Sequence, residues 1–158
     1  MLGLLRYAGG AWYRHPIDAV LLDIRNRTYA AFVELGRAPT ARELGDEQQV
    51  RAGWRVLHEA HALVLNSAMD EIRMANPFSA VPTAYRVKTD SRWWYANCAW
   101  DAFGILAALD LEGRIESSCP DCGEPYTVEV AQRQIDRPDL LFHCLVPAAH
   151  WWDDIVYT

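Results

Sequence analysis

Two chemically capable side chains stand one helical turn apart in the stretch NCAWDAFG, residues 97–104: the thiol of Cys98 and the carboxylate of Asp101. The rest of the stretch is mostly apolar. Asn97 has the side chain of a helix N-cap. That sets Cys98 at the first helical position, where the helix dipole and free backbone N–H groups favour a thiolate. Asp101 falls on the same face at i+3, and desolvation among tryptophans holds a carboxylate partly protonated. A soft nucleophile with a proton donor one turn away is a coherent catalytic device. The same pair also fits a core helix, with cysteine as a small hydrophobe and aspartate complementing the dipole of a first turn.

The other thiols are Cys119, Cys122 and Cys144. Cys119-Pro120-Asp121-Cys122-Gly123 forms a CxxC turn, but tetrahedral zinc usually needs two such halves and the chain holds no second CxxC. His143 and Cys144 are adjacent, a poor spacing for completing a tetrahedron. The turn therefore reads first as a tight connection whose thiols pack, and second as a metal site. Cys144 sits in LLFHCLVP, an apolar run that reads as a core strand. His15, His58, His61, His143 and His150 show no ligand spacing. The pairs Trp93-Trp94 and Trp151-Trp152 read as core or lid packing.

The elements that must position Cys98 and Asp101 fall into two textures. Residues 16–75 read as helical. PIDAVLLDIRNRTYAAFVELG carries apolar positions at near-helical spacing, and Gly36 is placed to end that helix. Thr40 and Glu43 make a capping box for a short second helix. DEQQVRAGWRVLHEAHALVL supplies a third, with Val50, Trp54, Leu57 and His61 along one face. An extended segment follows, which is the layout of a winged helix-turn-helix. From Pro77 the pattern changes. TAYRVKTDSRWWYAN reads as a hairpin turning at Thr89-Asp90-Ser91, CAWDAFGILAAL as a helix, and GRIESSCPDCGEPYTVEV as two strands around the CxxC turn. HWWDDIVYT reads as the start of a further strand. The fold class is α+β: an N-terminal three-helix, winged-helix-like part, residues 1–75, then an antiparallel-sheet core, residues 76–158, with a helix carrying Cys98 and Asp101.

The 158 residues suit one domain or two small ones, and 51% hydrophobic residues can build a core. A formal net charge of −6, with a single lysine and no basic block, argues against a phosphate-gripping nucleic-acid binder. No apolar run reaches the ~18 residues of a membrane span. MLGLLRYAGGAW lacks the layout of a signal peptide. The expected compartment is the cytoplasm, with the four cysteines as free thiols.

The blocks NPFSAVPTAYRV (76–87), WWYANCAWDAFGI (93–105), RIESSCPDCGEP (114–125) and VPAAHWWDDIVYT (146–158) resemble, in that order, the alkylmercury (organomercurial) lyase family. The similarity runs over roughly residues 18–158 and includes GRAPTARELG. It implies protonolytic cleavage of a carbon–mercury bond, giving a hydrocarbon and Hg(II), in mercury detoxification. It implies that Cys98 takes the mercury and Asp101 handles the proton. Cys119 matches a cysteine regarded as structural. A second mercury-binding cysteine is implied directly after DDIVYT, past Thr158; within the chain, Cys144 and the Cys119/Cys122 pair are the thiols that could stand in for it. Trp94, Trp100 and Phe103 would keep the site dry. No cofactor is implied, since Hg(II) is a product. The partners implied are an organomercurial substrate and, as Hg(II) acceptor, cytosolic thiols or a mercuric reductase. The chain is expected to be a monomer or homodimer without membrane or nucleic-acid contact. The competing reading is a non-catalytic, thiol-based metal-binding or regulatory protein derived from that family.

Overall fold

The computed structural model describes residues 18–157. The MLGLLRYAGGAW stretch and His15 lie outside them. Helix α1, Ala19–Leu35, starts where Asp18 accepts from the Leu21 amide at 2.8 Å and ends at Gly36, whose φ of 70° is the left-handed conformation glycine adopts freely. Ile24, Thr28 and Phe32, four residues apart, form its buried stripe. The capping box at Thr40 and Glu43 opens α2, Ala41–Leu44. Asp46 caps α3, Glu47–Glu59, which buries Val50, Trp54 and Leu57. Glycine at position 53 lets α1 and α3 close up, because a Cβ there would meet Ile24 Cδ1 at 2.5 Å. Thr28 ties the pair together. Its hydroxyl donates to the Ile24 carbonyl at 2.8 Å and accepts from Trp54 Nε1 at 2.9 Å.

Among the described residues the strands form one eight-stranded sheet, ordered β1-β2-β3-β5-β4-β6-β7-β8 with antiparallel neighbours. The strands are β1 Val64–Leu65, β2 Ile72–Ala75, β3 Phe78–Ser79, β4 Arg86–Lys88, β5 Trp93–Ala96, β6 Gly113–Ser118, β7 Pro125–Ala131 and β8 Gln134–Ile135. Helix α4, Ala99–Leu109, follows β5 directly and turns Ala102, Ile105 and Leu106 into the core. Val87, Trp94 and Ile115 face the core from three adjacent strands. Helices and sheet share one hydrophobic core running from Ile24 to Val128. Phe32 stacks on Phe78 with ring centroids 5.5 Å apart, and Trp94 Nε1 donates to the Phe32 carbonyl at 2.9 Å. The α+β class, with helices and an antiparallel sheet, is as the sequence leads one to expect.

The C-terminal third departs from expectation. LLFHCLVP forms no strand: Leu141 is 95% exposed and Leu145 76% exposed, and HWWDDIVYT contributes to a 3-10 helix, Ala148–Asp153, rather than a strand. The physical reason lies just upstream. β7 turns back at Gln132 and Arg133, both with positive φ (51° and 60°), and β8 takes the edge beside it. The apolar run is left without a strand to pair with. Cys144 is therefore exposed rather than a core residue.

Candidate active site

The site forms where β5 hands over to α4. Cys98 is the N-cap of α4, in extended backbone conformation (φ −147°, ψ −179°), and the helix proper begins at Ala99. This corrects the expectation that Asn97 caps and Cys98 opens the helix. β5 ends at Ala96 and the chain bends at Asn97 and Cys98 before the helix starts. The Trp100 and Asp101 amides still favour negative charge on the Cys98 sulfur. Burial outweighs them and pushes the thiol above its ordinary value, with the Asp101 and Cys144 charges adding in the same direction. The thiol is therefore held in its protonated form, contrary to the lowering expected from the helix dipole alone.

Asp101 is likewise pushed up, by burial, against the opposing hydrogen bonds from Asn97 and the Cys98 thiol. Asn97 Nδ2 donates to Asp101 Oδ2 at 3.0 Å and to Asn76 Oδ1 at 3.0 Å, while Asn97 Oδ1 is buried without a partner. The thiol and carboxyl thus touch, and each holds its proton more firmly than in water. A carboxyl and a soft nucleophile thus stand side by side, both half-buried.

Residues that the sequence reading did not single out complete the site. Tyr85 has its phenol pushed up by burial, then by Tyr126 and by Cys98, so it lies within electrostatic range of the thiol. The alternation of strand β4 signals this, since Tyr85 and Val87 share a face. Thr83 fixes the approach of that strand by donating to the Ala96 carbonyl at 2.6 Å. Asn97 could have been found from its i, i+4 spacing to Asp101, a pairing that helical geometry favours. From the other side, Phe142 lies against Trp100 with ring centroids 6.0 Å apart. That contact brings Cys144 within electrostatic range of Cys98. The Cys144 thiol donates to the Val146 carbonyl at 3.0 Å.

The three aromatic residues expected around the site separate. Trp100 is 63% exposed at its mouth, Phe103 is half-buried against the core, and Trp94 is 2% exposed with its indole N–H engaged by Phe32. Trp94 is a core residue because its strand alternation places it with Val87 and Ile115. Cys119 and Cys122 occupy the tip of the β6–β7 hairpin. Among the described residues no group of three or more His, Cys, Asp or Glu side chains could hold a metal ion. A separate cleft of about 490 Å³, lined by Arg42, Glu47, Arg51 and Asp70 among others, lies on the α2–α3 side. Two ion pairs, Arg42–Glu47 and Arg51–Asp70, line it. No described helix is long and apolar enough to cross a membrane.

This α+β architecture is similar to the crystal structure of the mercury-bound form of MerB2, with a TM-score of 0.59 and 22% identity, over 75% of this chain and 59% of that one. The chain thus spans less than two thirds of that protein's length. No curated protein matches the chain. Residues 78–158 match the family model MerB, alkylmercury lyase. The match covers just over half of the sequence, and the chain belongs to the alkylmercury lyase family, as its motifs suggested.

Proposed function

We propose that the protein is an organomercurial lyase that breaks a carbon–mercury bond by protonolysis. The observation that carries this reading is the proximity of the Cys98 thiol and the Asp101 carboxyl, with burial raising the proton affinity of both groups. Mercury(II) is soft and prefers sulfur. The Asp101 carboxylate, in its ionised form, takes the Cys98 proton as the sulfur displaces X from R–Hg–X, and X leaves as the anion. The Cys98–S–Hg–R adduct then has a protonated carboxyl next to the carbon. Asp101 delivers that proton to carbon, the Hg–C bond breaks, and R–H leaves with Hg(II) on sulfur. A carboxyl with raised proton affinity suits that delivery. Cys144 is the in-chain thiol whose charge Cys98 feels; its sulfur would add electron density to the metal and weaken the Hg–C bond.

The substrate is a small organomercurial, with Trp100 and Phe142 receiving its alkyl or aryl group. The step needs no cofactor, and cytosolic thiols or a mercuric reductase would take the ion away. The test is benzene release from phenylmercury. Wild type releases benzene. Cys98→Ser and Asp101→Asn each lose about 10²–10⁴-fold, and Asp101→Asn still binds the organomercurial. Equal release by all three chains overturns the assignment. Binding by wild type without any benzene would favour the thiol-based metal-binding reading instead.

A further inference from the structure

The CxxC turn is left unused by that mechanism, and its geometry is specific. After the last β6–β7 rung, Ser118 opposite Pro125, the Cys119 amide donates to the Glu124 carbonyl at 2.9 Å and the Gly123 amide to the Cys119 carbonyl at 2.9 Å. Gly123 has φ of 74°, with open space where a Cβ would stand. This closes a knuckle in which the Cys122 and Asp121 amides and the Cys122 thiol all approach the Cys119 sulfur, and these contacts favour its thiolate. Both cysteines are free, Cys122 is exposed, and Cys119 is half-exposed.

Strand register sets this knuckle at the same end of the sheet as Cys98. Arg86 in β4 pairs with Tyr95 on one side and with Glu116 on the other. Both neighbours run antiparallel to β4, so they leave the sheet at the same end. Cys98 follows Tyr95 by three residues, and Cys119 follows Glu116 by three. Two strand spacings, about 10 Å, separate Tyr95 from Glu116 at the rung that precedes both cysteines. A depression of about 260 Å³, lined by Thr83, Ala84, Tyr95, Ser117 and Ser118 among others, opens at that end. Ser117 Oγ is buried without a partner.

We propose that Cys119 and Cys122 form a second soft-metal site, a surface dithiolate that takes Hg(II) as a two-coordinate ion. Mercury(II) is satisfied by two thiolates, whereas a tetrahedral ion such as zinc needs four ligands. The knuckle supplies two, and the described residues bring no third ligand to it. On binding from mercuric chloride, two S–H bonds give up their protons, two Hg–Cl bonds break and release chloride, two Hg–S bonds form, and no atom changes oxidation state. Placed at the same sheet end as Cys98, the pair is suited to receive the ion that carbon–mercury cleavage leaves there. That role as cargo acceptor rests on the lyase reading; the metal site itself does not.

The experiment uses the full chain carrying Cys98→Ser and Cys144→Ser, so that only Cys119 and Cys122 remain, titrated with mercuric chloride. The expected result is one Hg(II) per chain, two protons released per ion, and thiolate-to-mercury charge-transfer absorption. Adding Cys122→Ser weakens binding about 10²–10⁴-fold, the loss for giving up a tethered second ligand. Circular dichroism of both variants confirms the fold, since the turn lies outside the core. Equal affinity with and without Cys122, or one ion shared by two chains in the double variant, overturns the site. Neither readout involves hydrocarbon release, so a failure of the lyase reading is seen separately.

Discussion

At Asp101 a single carboxyl carries opposite demands. Burial raises its proton affinity, and the hydrogen bonds from Asn97 and Cys98 only partly offset that. The linkage consequence has a definite sign. With the folded value above the unfolded one, the contribution of Asp101 to stability is fully present below the ordinary aspartate pKa of about 4. It is lost as pH rises through the higher folded value. Asp101→Asn has no proton to lose, so its stability relative to wild type should increase over that window. Urea unfolding of both chains at a series of pH values checks this, and a constant difference across the series contradicts it. The sequence showed the pair but gave the wrong sign for Cys98. Spacing reveals a helix N-terminus, which stabilises a thiolate. It does not reveal the tertiary burial that desolvates the sulfur.

Local elements are where the sequence was most legible, and α2 shows why. Its capping box is written in four consecutive residues, Thr40 to Glu43, and needs nothing from the rest of the fold. Glu43 is held at about 2 by the Arg37 guanidinium first and the Thr40 amide next. A depressed carboxylate stabilises the fold above its unfolded pKa of about 4.5, and that stability disappears as pH falls toward 2. Glu43→Gln should therefore be less stable than wild type near neutrality, with the gap closing on acidification. Unfolding midpoints on either side of that window decide it. Elements that depend on distant partners were less legible. β8 is reached through Gln132-Arg133, a two-residue turn with positive φ at both positions but without the Asn-Gly signature that marks such turns. LLFHCLVP carries the composition of a strand, yet β8 occupies the edge it would have used. Apolar composition alone does not say whether a neighbour is there to pair with.

For the molecule as a whole, ring contacts are among the links that dock the segment from residue 137 to 157. His61 stacks on Trp152 with centroids 4.3 Å apart and rings nearly parallel, and Phe142 meets Trp100. Few buried apolar contacts make such a segment easier to open than the core. Phe142→Ala should loosen the cover over the α4 N-terminus while leaving the unfolding midpoint within about 0.5 kcal/mol of wild type, as for other surface changes. Cys98 would then be alkylated several-fold faster by a neutral reagent. Greater access and a thiol value returning toward normal both act in that direction. Peptide mapping by mass spectrometry separates Cys98 from the three other thiols, and an unchanged rate at Cys98 shows that Phe142 is no cover.

The shared direction of β5 and β6 also sorts the two ends of the sheet into different uses. The thiols gather at one end. The other end holds the Thr89–Arg92 turn, which the Thr89 amide closes onto the Arg92 carbonyl at 2.8 Å. From Trp93, the rung nearest that turn, to Cys98 is five residues of extended chain, about 17 Å. A fluorescent amino acid or short epitope inserted at Asp90 would therefore ride on the same rigid strands as the reactive sulfur without touching it. The fold thus offers its own attachment point for a reporter, one that leaves every cysteine free.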